Sequence, residues 1–217
     1  IFLFGSYTNG PTPEEVSCLG AYDMWRVSSG ALTAEIVVTK GVTLRGADRD
    51  TTVLKRSNTK VYYRVLSLNH ADAKVCNFTL TNGQSNTEEG GGGVYIGADG
   101  GTLENCVVTG NTRKTWDCLG GNIYMKAGLV DRCRISLGLI GNYGAVRGGG
   151  VWLSGGVLQN SLVIDNNDAS DGTMLGTVYV SGTGVVRNCT IVGNRGSSNG
   201  ALYLDSATAK AVNCVAY

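Results

Sequence analysis

A five-residue phrase recurs five times between Gly92 and Leu204: Gly92-Gly-Val-Tyr-Ile, Gly121-Asn-Ile-Tyr-Met, Gly149-Gly-Val-Trp-Leu, Gly176-Thr-Val-Tyr-Val and Gly200-Ala-Leu-Tyr-Leu. A unit repeated at intervals of 24 to 29 residues is too short to bury a core of its own. It buries its apolar face only by stacking on its neighbours, which is the definition of a solenoid. Within each phrase the residues flanking the aromatic are apolar: Val94 and Ile96, Ile123 and Met125, Val151 and Leu153, Val178 and Val180, Leu202 and Leu204. Strand side chains alternate faces, so these pairs form the core and the aromatic between them points the other way.

A second phrase follows each first one and carries the column Cys106, Cys133, Ser161, Cys189, Cys214. In three coils an Asn closes it five residues later: Asn111, Asn166 and Asn194. Asn tolerates left-handed backbone and bonds its own turn, so like corners stack. Each repeat therefore holds at least two short strands separated by a bend. Less regular coils precede them, in residues 35–46 and 64–80. About seven coils, each rising ~4.8 Å, make a rod on the order of 30 to 35 Å long. A doubly wound α/β fold would need helical patterns of about 10 to 15 residues between the strands, and none is present.

Residues 1–34 do not repeat, and 35–217 form the solenoid. Thr12-Pro13-Glu14-Glu15 has the form of a helix start, with Thr as N-cap and Pro at the first helical position. A short helix or irregular segment there would cap the first coil. Ile1 and Tyr217 read as the ends of an excised piece. The last coil is open, to be covered by further chain or by an oligomer.

Composition agrees with many tight corners, with 33 glycines against 2 prolines. Eighteen basic and 17 acidic side chains leave a formal charge of +1, so no broad attraction for nucleic acid is expected. No stretch approaches the roughly 18 apolar residues of a membrane span. Seven cysteines with a lone His70 and no Cys-x-x-Cys pair argue against a zinc site and a small secreted disulfide framework. Stacked in register, Cys106, Cys133, Cys189 and Cys214 lie alongside one another, and free thiols are expected. Cys18 and Cys118 lie off the column.

The Gly-Gly-Val-Tyr/Trp phrase followed by Asn-Cys and a closing Asn resembles the right-handed, single-stranded parallel β-helices of the pectin-lyase-like superfamily. Gly149-Gly150-Val151 and Ile191-Val-Gly-Asn194 are similar to the repeats of polymorphic outer membrane protein adhesins. The resemblance spans about residues 35–217. It implies an all-β, right-handed parallel β-helix of bacterial origin at the cell surface or outside the cell. Activity is left open, because the superfamily contains both enzymes and non-catalytic adhesins.

The outward column Tyr95, Tyr124, Trp152, Tyr179, Tyr203 reads first as a like-on-like stabilising ladder. Its second reading is a flat strip suited to the apolar faces of sugars. The longer insertions all leave by one corner beside it, bringing Arg113, Lys114, Trp116, Arg147, Asp168 and Asp171 into its neighbourhood. Asp165, Asp168 and Asp171 are carboxylates that could serve calcium, the one cofactor in view, but their spacing is not that of a known calcium loop and solvated turns are the favoured account. Arg132, Arg134 and Arg187 are the basic side chains a uronate lyase would want on strands, yet neither Trp-x-Asp-His nor a paired-Asp and His motif accompanies them. Ser67, His70 and Asp72 lack a nucleophile-elbow phrase. The expected function is adhesin-like binding of carbohydrate or another surface ligand without catalysis. A polysaccharide lyase or glycoside hydrolase and a structural stalk are the alternatives.

Overall fold

A computed structural model describes residues 24–26, 29–57, 60–114, 118–140, 146–168, 174–195 and 200–217. It is an all-β parallel solenoid of about six turns, with no helix among the described residues. Three parallel sheets run its length. Sheet 1 begins with Met24–Arg26 and Thr43–Arg45 and ends with Lys210–Val212; sheet 2 runs from Gly30–Leu32 to Val215–Ala216. Sheet 3 runs from Ile36–Val38 through Val94–Ile96 and Val151–Leu153 to Leu202–Leu204. The expected seven coils correspond to the seven strands of sheet 3, which bound six full turns.

The ladders start earlier than the phrases do. Met24–Arg26 pairs with Thr43–Arg45 and Gly30–Leu32 with the strand Val53–Arg56, so part of the segment 1–34 already belongs to the solenoid. Thr12 to Glu15 and Cys18 lie outside the described residues.

Most strands of the three sheets are three residues long, so the alternation of side chains decides the interior almost by itself. Sheet 3 buries both ends of its strands, as with Val94 and Ile96; sheets 1 and 2 bury the middle residue, as with Leu103 and Val108. Identical register from coil to coil (Val94↔Ile123↔Val151↔Val178) turns these choices into continuous apolar rows.

Two corners carry amide ladders. Between sheets 1 and 2 a residue with left-handed backbone recurs as Asn77, Asn105, Arg132, Asn160, Asn188 and Asn213, with φ between 49° and 65°. Side-chain bonds run along it, Asn105 Nδ2 to Asn77 Oδ1 at 2.9 Å and Asn213 Nδ2 to Asn188 Oδ1 at 2.8 Å. The next residue turns inward, which is why Cys106, Cys133 and Cys189 are buried as free thiols; Cys214, in the last coil, is part-exposed and also free.

The second ladder is internal and stands where the insertions leave. Asn111 and Asn166 are fully enclosed, and Asn194 continues the column. The coil between Asn111 and Asn166 has Gly138 at the corner, and there Asn122 reaches in from the start of a sheet 3 strand. It accepts from Asn111 Nδ2 and donates to Asn166 Oδ1 and to Ser136 O, each at 2.9 Å. The coils with Asn111 and Asn166 at this corner have Gly93 and Gly150 where the intermediate coil has Asn122. A Cβ on Gly93 would lie 2.5 Å from Asn111 Nδ2, and one on Gly138 would lie 2.7 Å from Asn122 Nδ2. One amide per coil is thus supplied from either of two positions.

Candidate functional site

Tyr95, Tyr124, Trp152, Tyr179 and Tyr203 are direct neighbours across sheet 3. Parallel register places their rings one coil apart, and they stack along the rod. Successive centroid separations are 5.7, 4.4, 6.4 and 5.4 Å, with interplanar angles of 17°, 8°, 9° and 15°. Each interior ring therefore has a neighbouring ring on both faces, and the column presents ring edges to its surroundings. Such pairs contribute about 0.5 to 1.5 kcal/mol each beyond the area they bury.

The expectation of an open, flat outward strip is revised. Tyr124 is 7% exposed and Tyr179 4%, while Tyr95, Trp152 and Tyr203 are half-buried. The cover is the chain that returns from the insertions. Short strands Cys118–Leu119, Val146–Arg147 and Met174–Leu175 form a three-stranded sheet leading into sheet 3. Glycine permits this close return. Gly148 has φ +67°, and a Cβ there would lie 2.2 Å from Val151 O; one on Gly90 would lie 2.3 Å from Tyr124 Cδ2. The glycines just ahead of the repeat phrase thus seat the returning loop against the rings.

A polar rim borders the column. Tyr95 OH donates to Glu89 Oε1 at 3.0 Å, and Lys126 Nζ meets the same oxygen at 3.1 Å. Against burial, which would raise it, these two hydrogen bonds hold the Glu89 carboxyl below its ordinary value. At the other end Tyr179 OH donates to Asp205 Oδ2. Burial first, and this bond second, push the Tyr179 hydroxyl up to about 12. Arg147 lies over the Tyr179 ring at 6.0 Å, as expected of a residue beside the column.

Arg113 belongs elsewhere. It sits in the short sheet of Gln84–Ser85, Thr112–Arg113, Leu139–Ile140 and Asn167–Asp168, with 1% of its surface exposed. Its guanidinium donates to Glu89 O at 2.7 Å and Glu88 O at 3.1 Å, so it anchors the loop bearing Glu89 and does not face an outside ligand. An inward position of a paired strand explains the difference from the expected surface role. Lys114 is exposed next to it.

A second buried arginine, absent from the expected site, heads the column. The Arg64 guanidinium lies 5.0 Å from the Tyr95 ring centroid, donates to Thr87 Oγ1 at 2.6 Å and Glu89 O at 2.9 Å, and faces Glu35 at 3.7 Å. Ser67, which occupies the column position before Tyr95, donates to Glu35. Burial raises the Glu35 carboxyl, with Arg64 opposing. The only sequence signal for this cluster was its place one coil before Tyr95.

The remaining candidates are dispersed. His70 Nδ1 accepts from Asp72 N at 3.2 Å within its own turn, while Ser67 is engaged by Glu35. Arg132 pairs with Glu104 and Asp131, Arg187 donates to Gln159 at 2.7 Å, and Arg134 is exposed. Asp165 is an exposed corner residue with φ 55°. Asp168 is described in its backbone alone; Trp116 and Asp171 lie outside the described residues. Among the described residues no group of three His, Cys, Asp or Glu is placed to hold a metal ion. No helix among them is long and apolar enough to cross a membrane. No family model, curated protein or solved structure matches the chain.

Proposed function

We propose that this chain is a non-catalytic segment of a bacterial surface or extracellular protein, an adhesin-like rod that holds a surface ligand, carbohydrate foremost, on its insertion-bearing edge. The observation that carries this reading is the stacking of all five rings with a charged rim beside them. The ring faces are occupied by one another, so the column acts as the spine. The groups left for a ligand are the rim side chains Lys126 and Arg147 together with the neighbouring loops. Long polar side chains beside an aromatic edge suit the hydroxyls of a sugar. Right-handed winding, the general rule for parallel crossovers, is part of the proposal.

Glycan-array retention of the whole chain, compared with Lys126→Ala and Arg147→Ala, tests it. Both side chains are part-exposed, so the fold should survive and retention should fall by about tenfold, the equivalent of 1.4 kcal/mol. Full retention in both variants would remove the rim from the site. Failure of the parent chain to bind any glycan would leave the stalk reading, which the ring stacking also favours.

A further inference from the structure

The ladder joins three features that stabilisation alone does not require. Trp152 stands in the middle of a continuous run of five rings whose neighbouring centroids are 4.4 to 6.4 Å apart. Its indole Nε1 is buried, and no described residue accepts a hydrogen bond from it. Its neighbour Tyr179 is bonded through its hydroxyl to the Asp205 carboxylate.

We propose that the aromatic column is a conduit for oxidising equivalents, passing an electron vacancy from Trp152 to Tyr179. An external one-electron oxidant of the radical class removes one electron from the indole and is itself reduced, leaving an indole radical cation. In water that cation quickly loses its N–H proton and much of its oxidising power. Here the buried N–H has no acceptor among the described residues, so the cation persists and takes one electron from the Tyr179 ring. The Tyr179 O–H proton passes along its hydrogen bond to Asp205 Oδ2. The products are neutral Trp152, a neutral tyrosyl radical and protonated Asp205, and the electron and proton counts close. A small-molecule reductant of the thiol or ascorbate class then donates one electron to the phenoxyl radical, which regains its proton from Asp205. With its hydroxyl pushed up to about 12, Tyr179 is protonated at neutral pH, so its oxidation requires that acceptor. An indole in the middle of a stabilising spine would thereby be spared lasting damage.

Pulse radiolysis with azide radical as the oxidant tests the relay. Replacing Trp25 and Trp116 by Phe leaves Trp152 as the sole indole. Tryptophanyl absorbance should decay with first-order kinetics as tyrosyl absorbance grows, at a rate independent of protein concentration. Asp205→Asn keeps an oxygen to accept the hydrogen bond but supplies no proton-accepting carboxylate, and it should slow tyrosyl formation several-fold. Tyr179→Phe retains the stacked ring and should lose most of the tyrosyl yield. The same Asp205→Asn comparison in the unmodified chain covers the case in which the Phe replacements disturb folding. Growth that scales with protein concentration, or Asp205→Asn and Tyr179→Phe kinetics indistinguishable from the parent, would overturn the proposal.

Discussion

Asn122 offers the sharpest test of what holds the coils in register. Its side chain makes three internal hydrogen bonds, accepting from Asn111 Nδ2 and donating to Asn166 Oδ1 and Ser136 O. Asn122→Ala deletes all three. Asn166 Oδ1 still accepts from Gly138 N, and Ser136 O from Gly110 N at 3.2 Å, so both acceptors stay partly satisfied. Asn111 Nδ2 keeps Leu80 O at 3.1 Å but loses the partner of its second N–H. At about 1 kcal/mol per bond, with one buried donor orphaned, the expected loss is about 3 to 4 kcal/mol. Asn122→Asp preserves the volume but turns two donors into a carboxylate facing Asn166 Oδ1 and Ser136 O. It should therefore destabilise more than alanine does at neutral pH. The ionised form is disfavoured only in the folded state, so the introduced carboxyl has a folded pKa above its unfolded one. The ionisation penalty is absent below the unfolded value and is complete once pH has risen through the folded one. Urea unfolding of the three proteins at pH 7 and again in acid provides the measurement. If Asn122→Asp equals the alanine variant at neutral pH, or shows no relative recovery in acid, the ladder does not hold the solenoid in the way described.

Burial holds the Cys106 thiol well above its ordinary value and pushes Cys133 up to about 12 and Cys189 to about 11. Timed alkylation at pH 8 should accordingly label the part-exposed Cys214 before these three, and their prior modification in the folded state would contradict the interior column. Leu137 has φ 52° and is 55% exposed at a corner that Gly110 occupies one coil before and Gly193 two coils after, so Leu137→Gly should raise stability by about 1 kcal/mol in thermal unfolding. Burial raises the Glu35 carboxyl above its ordinary value in the folded state, so its contribution is fully present below the unfolded value and declines as pH rises through the folded one. The Glu35→Gln variant should lose that component in unfolding midpoints compared between pH 4 and 7; an identical pH profile would exclude it.

The core rows were legible because a three-residue strand leaves the alternation of side chains little choice. Val94, Ile96 and their counterparts lie inside as the pattern requires, and the Cys column follows from its place after each corner. Ring orientation was less legible. A repeat phrase states that Tyr124 and Trp152 are neighbours, but whether they offer faces or edges depends on side-chain torsions set by the next coil. Asn122 was hidden for a related reason. It departs from its own column to fill a gap in another, and the compensating Gly138 is visible only once the two columns are known to touch. Arg113 was misplaced because an insertion was expected to be all surface, while its first residues pair as a strand with an inside. Of the outer corner residues, Asn105, Asn188 and Asn213 were present in the Asn-Cys phrase, but their left-handed backbone is what gives them their role.

The insertions all depart after the internal amide ladder and re-enter just before the rings. Four residues lie between Arg113 and Cys118 and five each between Ile140 and Val146 and between Asp168 and Met174, and across that one-residue difference Tyr124↔Trp152 and Trp152↔Tyr179 pair in the same register. Extra loop length costs only slowly growing closure entropy. The edge thus behaves as a row of sockets: foreign peptides grafted there would be presented one coil apart, on a rod whose spacing is set elsewhere.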